Sequence, residues 1–266
     1  MTLREWQTKR LEELKGASFR RSKYADRLTL IIYTFPPEGR EDEMFAWIKC
    51  SILHSWDVLG QLPTVIIANR LFKAVEDFAT QFADVVNVQE APNVIPGNIK
   101  TMSLDCIKNL HARFTTPYCL VIQDDGMPLG GNLDDFLGKY DFLGAPIISD
   151  GWKRTVAYSL GLGSFNGGFS LRSRRFCAYA AQMWFAFFSK FMPEDHRHLG
   201  EDFYYTTLLK LLPPTWFRFR FPNLETAFRF SMDALSGHVR LPDGVSPFGF
   251  HGKDTAELLL KRGGWT

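Results

Sequence analysis

Four short apolar runs, each rich in β-branched or aliphatic residues and spaced by stretches with helical periodicity, limit this chain to few folds. The runs are "RLTLIIYTF" (Arg27 to Phe35), "PTVIIAN" (Pro63 to Asn69), "ADVVNVQE" (Ala83 to Glu90) and "YCLVIQ" (Tyr118 to Gln123). They are too short for core helices, and the first stops at Pro36-Pro37, so they predict strands, the most continuous of them buried on both faces. Between them, Met44, Trp47, Ile48, Ile52 and Leu53 share one stripe of a helix over 42–59, and further helices are predicted over 71–82 and 99–114. Strand alternating with helix predicts an α/β architecture, a central and mostly parallel sheet flanked by helices. In such sheets ligands bind beyond the carboxyl ends of the strands, where Thr34, Asn69 and the pair Asp124-Asp125 fall.

That acidic pair raises an energetic problem. Burying one ionised carboxylate costs several kcal/mol unless a cation or hydrogen bonds compensate, so the fourth strand must end at a surface, a cap or a cation. If the strand ran on through both acids, their side chains would point to opposite faces. A carboxylate at a strand end suits Mg²⁺ or Mn²⁺, hard ions that take one or two protein carboxylates and fill their remaining positions from substrate phosphates. Local capping of the turn "DDGMP" accounts for the same residues equally well.

The second half of the chain changes character. "LDDFLGKYDFLGAPI" predicts a short helix and a strand, "GLGSFNGGFSLRS" a glycine-rich turn and a strand, and "RRFCAYAAQMWFAFFSKF" and "GEDFYYTTLLKLL" helices, with short turns in the tail. Gly167 and Gly168 let the backbone approach a ligand or simply turn. Glu201 and Asp202 open a helix, where they either cap it or supply a base whose pKa the helix N-terminus would depress. His251 in "PFGFHGKD" reads alone as structural; in company, a neutral imidazole would complete a metal site and Lys253 would neutralise a phosphate. With no internal repeat or low-complexity linker, the expected organisation is a helical segment over 1–24 and one domain over 25–266, with lobes 25–126 and 127–266.

A net charge of +2, with basic residues scattered among nearly as many acids, argues against nucleic acid as a partner. The wide spacing of Cys50, Cys106, Cys119 and Cys177 suggests neither a zinc ribbon nor a disulfide framework, and predicts buried thiols in a reducing cytoplasm. The charged N-terminus has no apolar leader core, and no stretch approaches the ~20 apolar residues that span a bilayer. Leu3, Trp6, Leu11 and Leu14 instead outline an amphipathic helix, packed on the core or laid against a membrane or partner. The 24 phenylalanines need partners of their own. Phe176, Ala180, Met183, Phe187 and Phe191 recur at helical spacing, which predicts core packing, with sugar stacking or contact with a lipid-linked acceptor as the alternative.

"VIQDDG", "YDFLGAP", "FNGGFSLRSRR", "GEDFYY" and "GFHG" occur in the order seen in the DUF5672 family of glycosyltransferase-like proteins, which resembles the A-type (GT-A), Rossmann-like nucleotide-sugar transferases. The resemblance covers roughly residues 25 to 255. It implies a GT-A fold, a nucleotide diphosphate sugar donor and Mn²⁺ or Mg²⁺ as cofactor. Gln123 and Asp125 then hold the outer places of an Asp-x-Asp-like motif with Asp125 as metal ligand, and glutamine in the first place leaves metal dependence open. The resemblance also implies donor contacts from Asn98 and Lys100 at a helix start, beside Thr34, Asn69, Asp124 and Lys253, with Asn166, Gly167 and Gly168 shaping the sugar pocket. Asp202, then Glu201, are the implied catalytic base, and His251 the residue reaching metal or diphosphate. The expected activity is sugar transfer to a hydroxyl of a saccharide or lipid-linked saccharide. It is expected to invert the sugar carbon and to serve surface polysaccharide synthesis, in the cytoplasm or at the inner membrane face. The alternatives are a non-catalytic nucleotide-sugar or carbohydrate binding module and a membrane-docked assembly subunit using the N-terminal helix and aromatic surface.

Overall fold

In the computed structural model, which describes residues 1–147, 165–191, 200–233 and 246–261, a helix α1 (Leu3–Glu13) precedes the four apolar runs. The runs form β1 (Leu28–Thr34), β2 (Thr64–Ala68), β3 (Val86–Glu90) and β4 (Tyr118–Ile122), interleaved with α2 (Glu41–Leu59), α3 (Lys73–Gln81) and α4 (Ile99–Arg113). Then follow β5 (Gly126–Pro128), β6 (Phe142–Pro146), β7 (Phe165–Ser173), α5 (Arg174–Met183), α6 (Pro213–Arg218), α7 (Leu224–Phe230), β8 (Ser231–Asp233), β9 (Gly249–His251) and α8 (Lys253–Lys261).

All seven residues of β1 are buried, which is why it reads as an unbroken apolar run. Its side chains alternate between two cores. Leu30 and Ile32 meet Phe45, Ile48, Ile52 and Trp56 of α2 and Phe78 of α3, whereas Ile31 and Tyr33 meet Cys106, Ile107 and Leu110 of α4 and Phe176 and Ala180 of α5. Each fully buried aliphatic or aromatic side chain contributes roughly 1.5–3 kcal/mol, so the two faces fix the position of β1 strongly.

The strand order of the main sheet is β3-β2-β1-β4-β7-β6. β1 pairs in parallel with β2 and β4, and β2 with β3, while β7 runs antiparallel to both β4 and β6. The chain winds outward from β1 to β3 on one side and returns to β4 on the other, so the carboxyl ends of β1 and β4 form a topological switch point. A second sheet, β5-β9-β8, sits beside it and turns the chain beyond β4 back towards that point.

Two expectations need correction. The tail predicted as short turns holds α8, whose Thr255, Ala256 and Leu259 are buried at helical spacing; residues 262–266 lie outside the described residues, as do 161–164 of the predicted glycine-rich turn. The apolar stripe of the helix after β7 loses phase because a wide, π-helical turn spans Trp184–Phe188. Phe176 and Ala180 are buried as predicted, but within the wide turn Trp184 and Phe188 are buried while Phe187 is 43% exposed; the Phe191 side chain lies outside the described residues. Of the two readings of α1, packing on the core is the one its burial supports. Leu3 is sealed against Met127, Met232, Phe250, Ala256 and Leu259 with Trp6 beside it, Leu14 is buried in the main core, and Leu11 packs against that core. The four cysteines are free and buried, and burial pushes the Cys50 and Cys106 thiols up to about 12.

Candidate active site

β4 stops at Ile122, and Gln123 to Asp125 form a turn instead of continuing the pleat. The two acids part company there. Asp124 is held by α1: Arg4 reaches its Oδ2 at 2.6 Å, and the fully buried Gln7 donates to its backbone carbonyl at 2.6 Å. Asp125 lies on the inner side. β5 pairs with β9 so that Gly126 stands opposite His251, and the Gly252 amide donates to the Asp125 carbonyl, bringing Asp125 Oδ1 to 3.4 Å from His251 Nε2.

His251 has two further partners. Its Nδ1 lies 3.2 Å from Asp233 Oδ2, the residue in register with it on β8, and its Nε2 lies 2.9 Å from Gln123 Oε1. Burial works against a charged imidazole, but the Asp233 hydrogen bond and the fields of Asp125, Asp233 and Asp202 outweigh it and raise its pKa. Burial also raises the Asp125 pKa, against the field of His251. Gln123 Oε1, Asp125 Oδ1 and His251 Nε2 thus meet at one place, where either a proton on Nε2 or a metal ion would satisfy the two oxygens. Among the described residues no group of three His, Cys, Asp or Glu side chains is placed to share an ion. The donor set that fits a divalent cation is therefore Asp125 and His251 with the Gln123 amide oxygen, and Asp233 orients the imidazole from behind.

The glycine pair on β7 lies between this group and the Glu201–Asp202 pair. A Cβ on Gly168 would stand 2.2 Å from His251 Nε2 and 2.7 Å from Gln123 Oε1; a Cβ on Gly167 would stand 2.2 Å from Asp202 Oδ1 and 2.5 Å from Arg172 Nη2. Only glycine fits in either place. Asn166 ties the strand down, accepting from the Gly168 amide and donating to Asp233 Oδ2, both at 2.7 Å.

Glu201 accepts from Ser103 at 2.7 Å and lies 3.7 Å from the fully buried Arg172 guanidinium. Asp202 differs: its Oδ1 is sealed from solvent and has no hydrogen-bond partner among the described residues. Burial, with the adjacent Glu201 charge, holds its pKa well above the usual carboxylate range. This corrects the expectation of a depressed pKa. The helix over Glu201–Phe203 is one turn long, too short a dipole to offset burial and a neighbouring carboxylate.

Of the remaining predicted residues, Thr34 stands two residues beyond Ile32, which pairs with Ile122, and so lies level with the turn after β4. Thr34 Oγ1 and Asn69 Oδ1, at the ends of β1 and β2, are buried without hydrogen-bond partners among the described residues. Asn98 caps α4, its Oδ1 accepting from the Lys100 and Thr101 amides, and Lys100 stands exposed in the first turn. Lys253 is exposed at the start of α8, 3.9 Å from Glu257. Sequence reasoning missed Asp233, Arg172, Arg4 and Gln7. The only signal for Arg172 is a charge inside an apolar strand, and nothing local marks the other three.

No curated protein matches the sequence. Among solved structures, the galactosyltransferase LgtC in complex with donor and acceptor sugar analogues is similar over 84% of this chain and 86% of its own, with a TM-score of 0.50 and 14% identity. Core-mannan synthase A from Aspergillus fumigatus in its Mn/GDP form is similar over 71% and 74%, with a TM-score of 0.46 and 11% identity. The mannosyltransferase Ktr4p from S. cerevisiae in complex with GDP is similar over 77% and 76%, at 0.46 and 9%. The fold is that of the GT-A glycosyltransferases. The family described as "Protein of unknown function (DUF5672)" matches residues 86–251, well over half of the chain, and the protein belongs to that family.

Proposed function

We propose that the protein transfers a sugar from a nucleotide diphosphate donor to a hydroxyl acceptor. The observation that carries this reading is the convergence of Gln123, Asp125 and His251 at the carboxyl end of β4, across Gly167-Gly168 from a carboxylate with an unpartnered oxygen. Such a place suits a reaction in which a diphosphate leaves and a hydroxyl loses its proton. Mn²⁺ or Mg²⁺, when held by Asp125, His251 and the Gln123 amide, supplies positive charge to the leaving diphosphate.

The chain's own residues do the rest. The buried, unpartnered Thr34 Oγ1 and Asn69 Oδ1 offer polar contacts to the nucleotide beside Asn98 and Lys100, and Lys253 lies two residues beyond His251 at the rim. The bond from the anomeric carbon to the phosphate oxygen breaks as the bond to the acceptor oxygen forms, and Asp202 Oδ1 takes the acceptor proton. Burial and the neighbouring Glu201 raise its pKa, which makes its ionised form the stronger base, and a positioned general base contributes typically ~10²–10⁴-fold. Such a base, separate from the diphosphate site, favours inversion. The acceptor is a saccharide or lipid-linked saccharide hydroxyl in surface polysaccharide synthesis, met in the cytoplasm or at the inner membrane face. No helix of the described residues is long and apolar enough to cross a membrane.

Hydrolysis of a panel of nucleotide sugars by wild type, Asp125→Ala and Asp202→Ala tests this. Turnover falls in both, with donor affinity weakened chiefly in Asp125→Ala; full turnover in Asp202→Ala removes it as base. Gln123, standing where metal-dependent transferases carry an aspartate, favours a second reading, a nucleotide-sugar binding module. Calorimetry with uridine and guanosine diphosphates would then show binding indifferent to Mn²⁺, with no turnover in any arm.

A further inference from the structure

An aromatic and basic face lies at the end of the main sheet opposite the candidate site. β7 ends where Ser173 pairs with Tyr118, the first residue of β4, so Arg174 and Arg175 open α5 at the far end of β4 from Gln123, about 17 Å away at ~3.3 Å per residue. α6 packs beside this start of α5. Tyr179 and Thr215 hydroxyls meet at 3.3 Å, the Arg218 guanidinium stacks 5.4 Å from the Tyr179 ring, and that of Arg175 lies 5.5 Å from the Phe219 ring. From this frame α6 projects apolar surface into solvent: Phe217 is 89% exposed, Trp216 58%, and the neighbouring Leu211 56%.

The stretches of sequence that carry these rings bear charge of one sign. From Phe203 to Leu224, and again from Arg174 to Phe191, the sequence has no acidic residue. Asp141, the carboxylate that reaches this face, is fully buried and bracketed by Arg175 at 2.7 Å and Arg220 at 4.0 Å, so the group stays net positive. An open cleft of about 410 Å³ beside them is lined by His111, Pro117, Tyr118, Ala178, Arg174 and Arg175, a mostly apolar hollow with two arginines that can meet a phosphate headgroup. Exposed aromatics that gain by leaving water, ringed by arginines that gain near negative charge, are complementary to an anionic lipid surface. A second copy of the chain is a poorer partner, because a twofold contact would set like charges against each other.

We propose that this face, centred on Trp216, Phe217 and Arg218 with the Arg174–Arg175 cleft beside it, docks the protein peripherally on an anionic bilayer. Trp216 and Phe217 enter the headgroup boundary and the arginines pair with lipid phosphates. α1, whose apolar residues are packed inward, takes no part. Because the face lies at the opposite end of β4 from Asp125, docking leaves the crevice open to water, and a donor reaches it without crossing the lipid.

Co-sedimentation of the full chain with phosphatidylglycerol–phosphatidylcholine vesicles and with pure phosphatidylcholine vesicles tests this, for wild type, Phe217→Ser and Arg218→Glu. Wild type binds the anionic vesicles, more weakly as salt rises, and leaves the neutral ones. Phe217→Ser loses roughly 10-fold or more of that partitioning with its melting temperature unchanged, since the ring it removes is almost wholly in solvent. Arg218→Glu loses binding at low salt. Equal binding to both vesicle types, no binding to either, or wild-type partitioning by Phe217→Ser overturns the proposal. So does light scattering that shows a dimer dissociated by Phe217→Ser.

Discussion

Replacing Gly168 by alanine adds one methyl group at the point where the β7 backbone meets the metal-fitting residues. Built on the existing backbone, that carbon stands 2.2 Å from His251 Nε2, 2.4 Å from Cδ2 and 2.7 Å from Gln123 Oε1. Comfortable contact needs about 3.5 Å, so the imidazole or the strand must give by about 1 Å. The ring cannot simply swing away, because Asp233 holds Nδ1 at 3.2 Å and Asn166 holds Asp233 at 2.7 Å. Overpacking of this kind costs about 1–3 kcal/mol, which in a chain of this size lowers the melting temperature by about 2–12 °C. The larger effect is on function: a displacement of about 1 Å in a positioning residue costs on the order of 10²-fold in turnover. Gly200→Ala is the control, since nothing among the described residues lies within 4 Å of a Cβ there. Thermal melts with and without Mn²⁺ measure the consequence directly. Wild type and Gly200→Ala gain stability from the metal by mass action, whereas Gly168→Ala starts lower and gains little. A Gly168→Ala protein with a wild-type Mn²⁺ shift would show that Gln123, Asp125 and His251 do not act as one group.

Two further outcomes follow from buried charge. His54 accepts from Arg10 at Nδ1 and reaches the Pro128 carbonyl with Nε2, so its neutral form is locked in, and burial with the Arg10 field pushes its pKa down from 6.5 to about 4. Between those values the unfolded chain takes up a proton that the folded protein refuses, so stability is lost as pH falls, by about 3 kcal/mol in full. Urea denaturation at pH 7 and pH 4.5 reads the loss, and an identical loss in His54→Gln would refute the assignment. Arg172→Met strands the buried Glu201 carboxylate and lowers stability by about 3–5 kcal/mol; the double variant with Glu201→Gln recovers most of it, and strictly additive losses would contradict the pairing.

Legibility in the sequence followed the length over which a pattern repeats. β1, β2 and α2 carry enough turns or alternations for burial to impose a period, and their bounds in the structure lie within a residue or two of those read from spacing. β5, β8 and β9 are three residues each, too short for any period, yet their pairing is what carries His251 to Asp125. Asp233 is invisible for the same reason, since its role depends on facing His251 across β8 and β9. Gln7 and Arg4 act on a turn more than a hundred residues away. Phe187 misleads because the wide turn at Trp184–Phe188 shifts the helix phase, and no residue there announces it. Asp125 draws attention for the opposite reason, since an acid directly abutting an apolar strand needs a compensating partner that the local sequence does not offer, whereas Gln123, Glu201 and Asp202 are marked as site candidates by the motif resemblance.

Arg172 explains why the two adjacent acids of the Glu-Asp pair are not equivalent. Its guanidinium is fully buried between the Phe142 and Tyr205 rings, at 5.3 and 4.9 Å, and donates to Ser170 Oγ, the Gly167 carbonyl and Cys106 Sγ. A cation so enclosed persists only if its donors are satisfied and a counter-charge is near, and Glu201 at 3.7 Å is that charge. Glu201 is therefore held between Arg172 and Ser103. Asp202, one residue on, takes the consequence: beside Glu201 and out of water its pKa is raised, and its unpartnered oxygen faces the glycine gap. One carboxylate is held by the protein and the other keeps an unpartnered oxygen among the described residues, a division that follows from the Arg172 contacts and not from the order of the two residues in the chain.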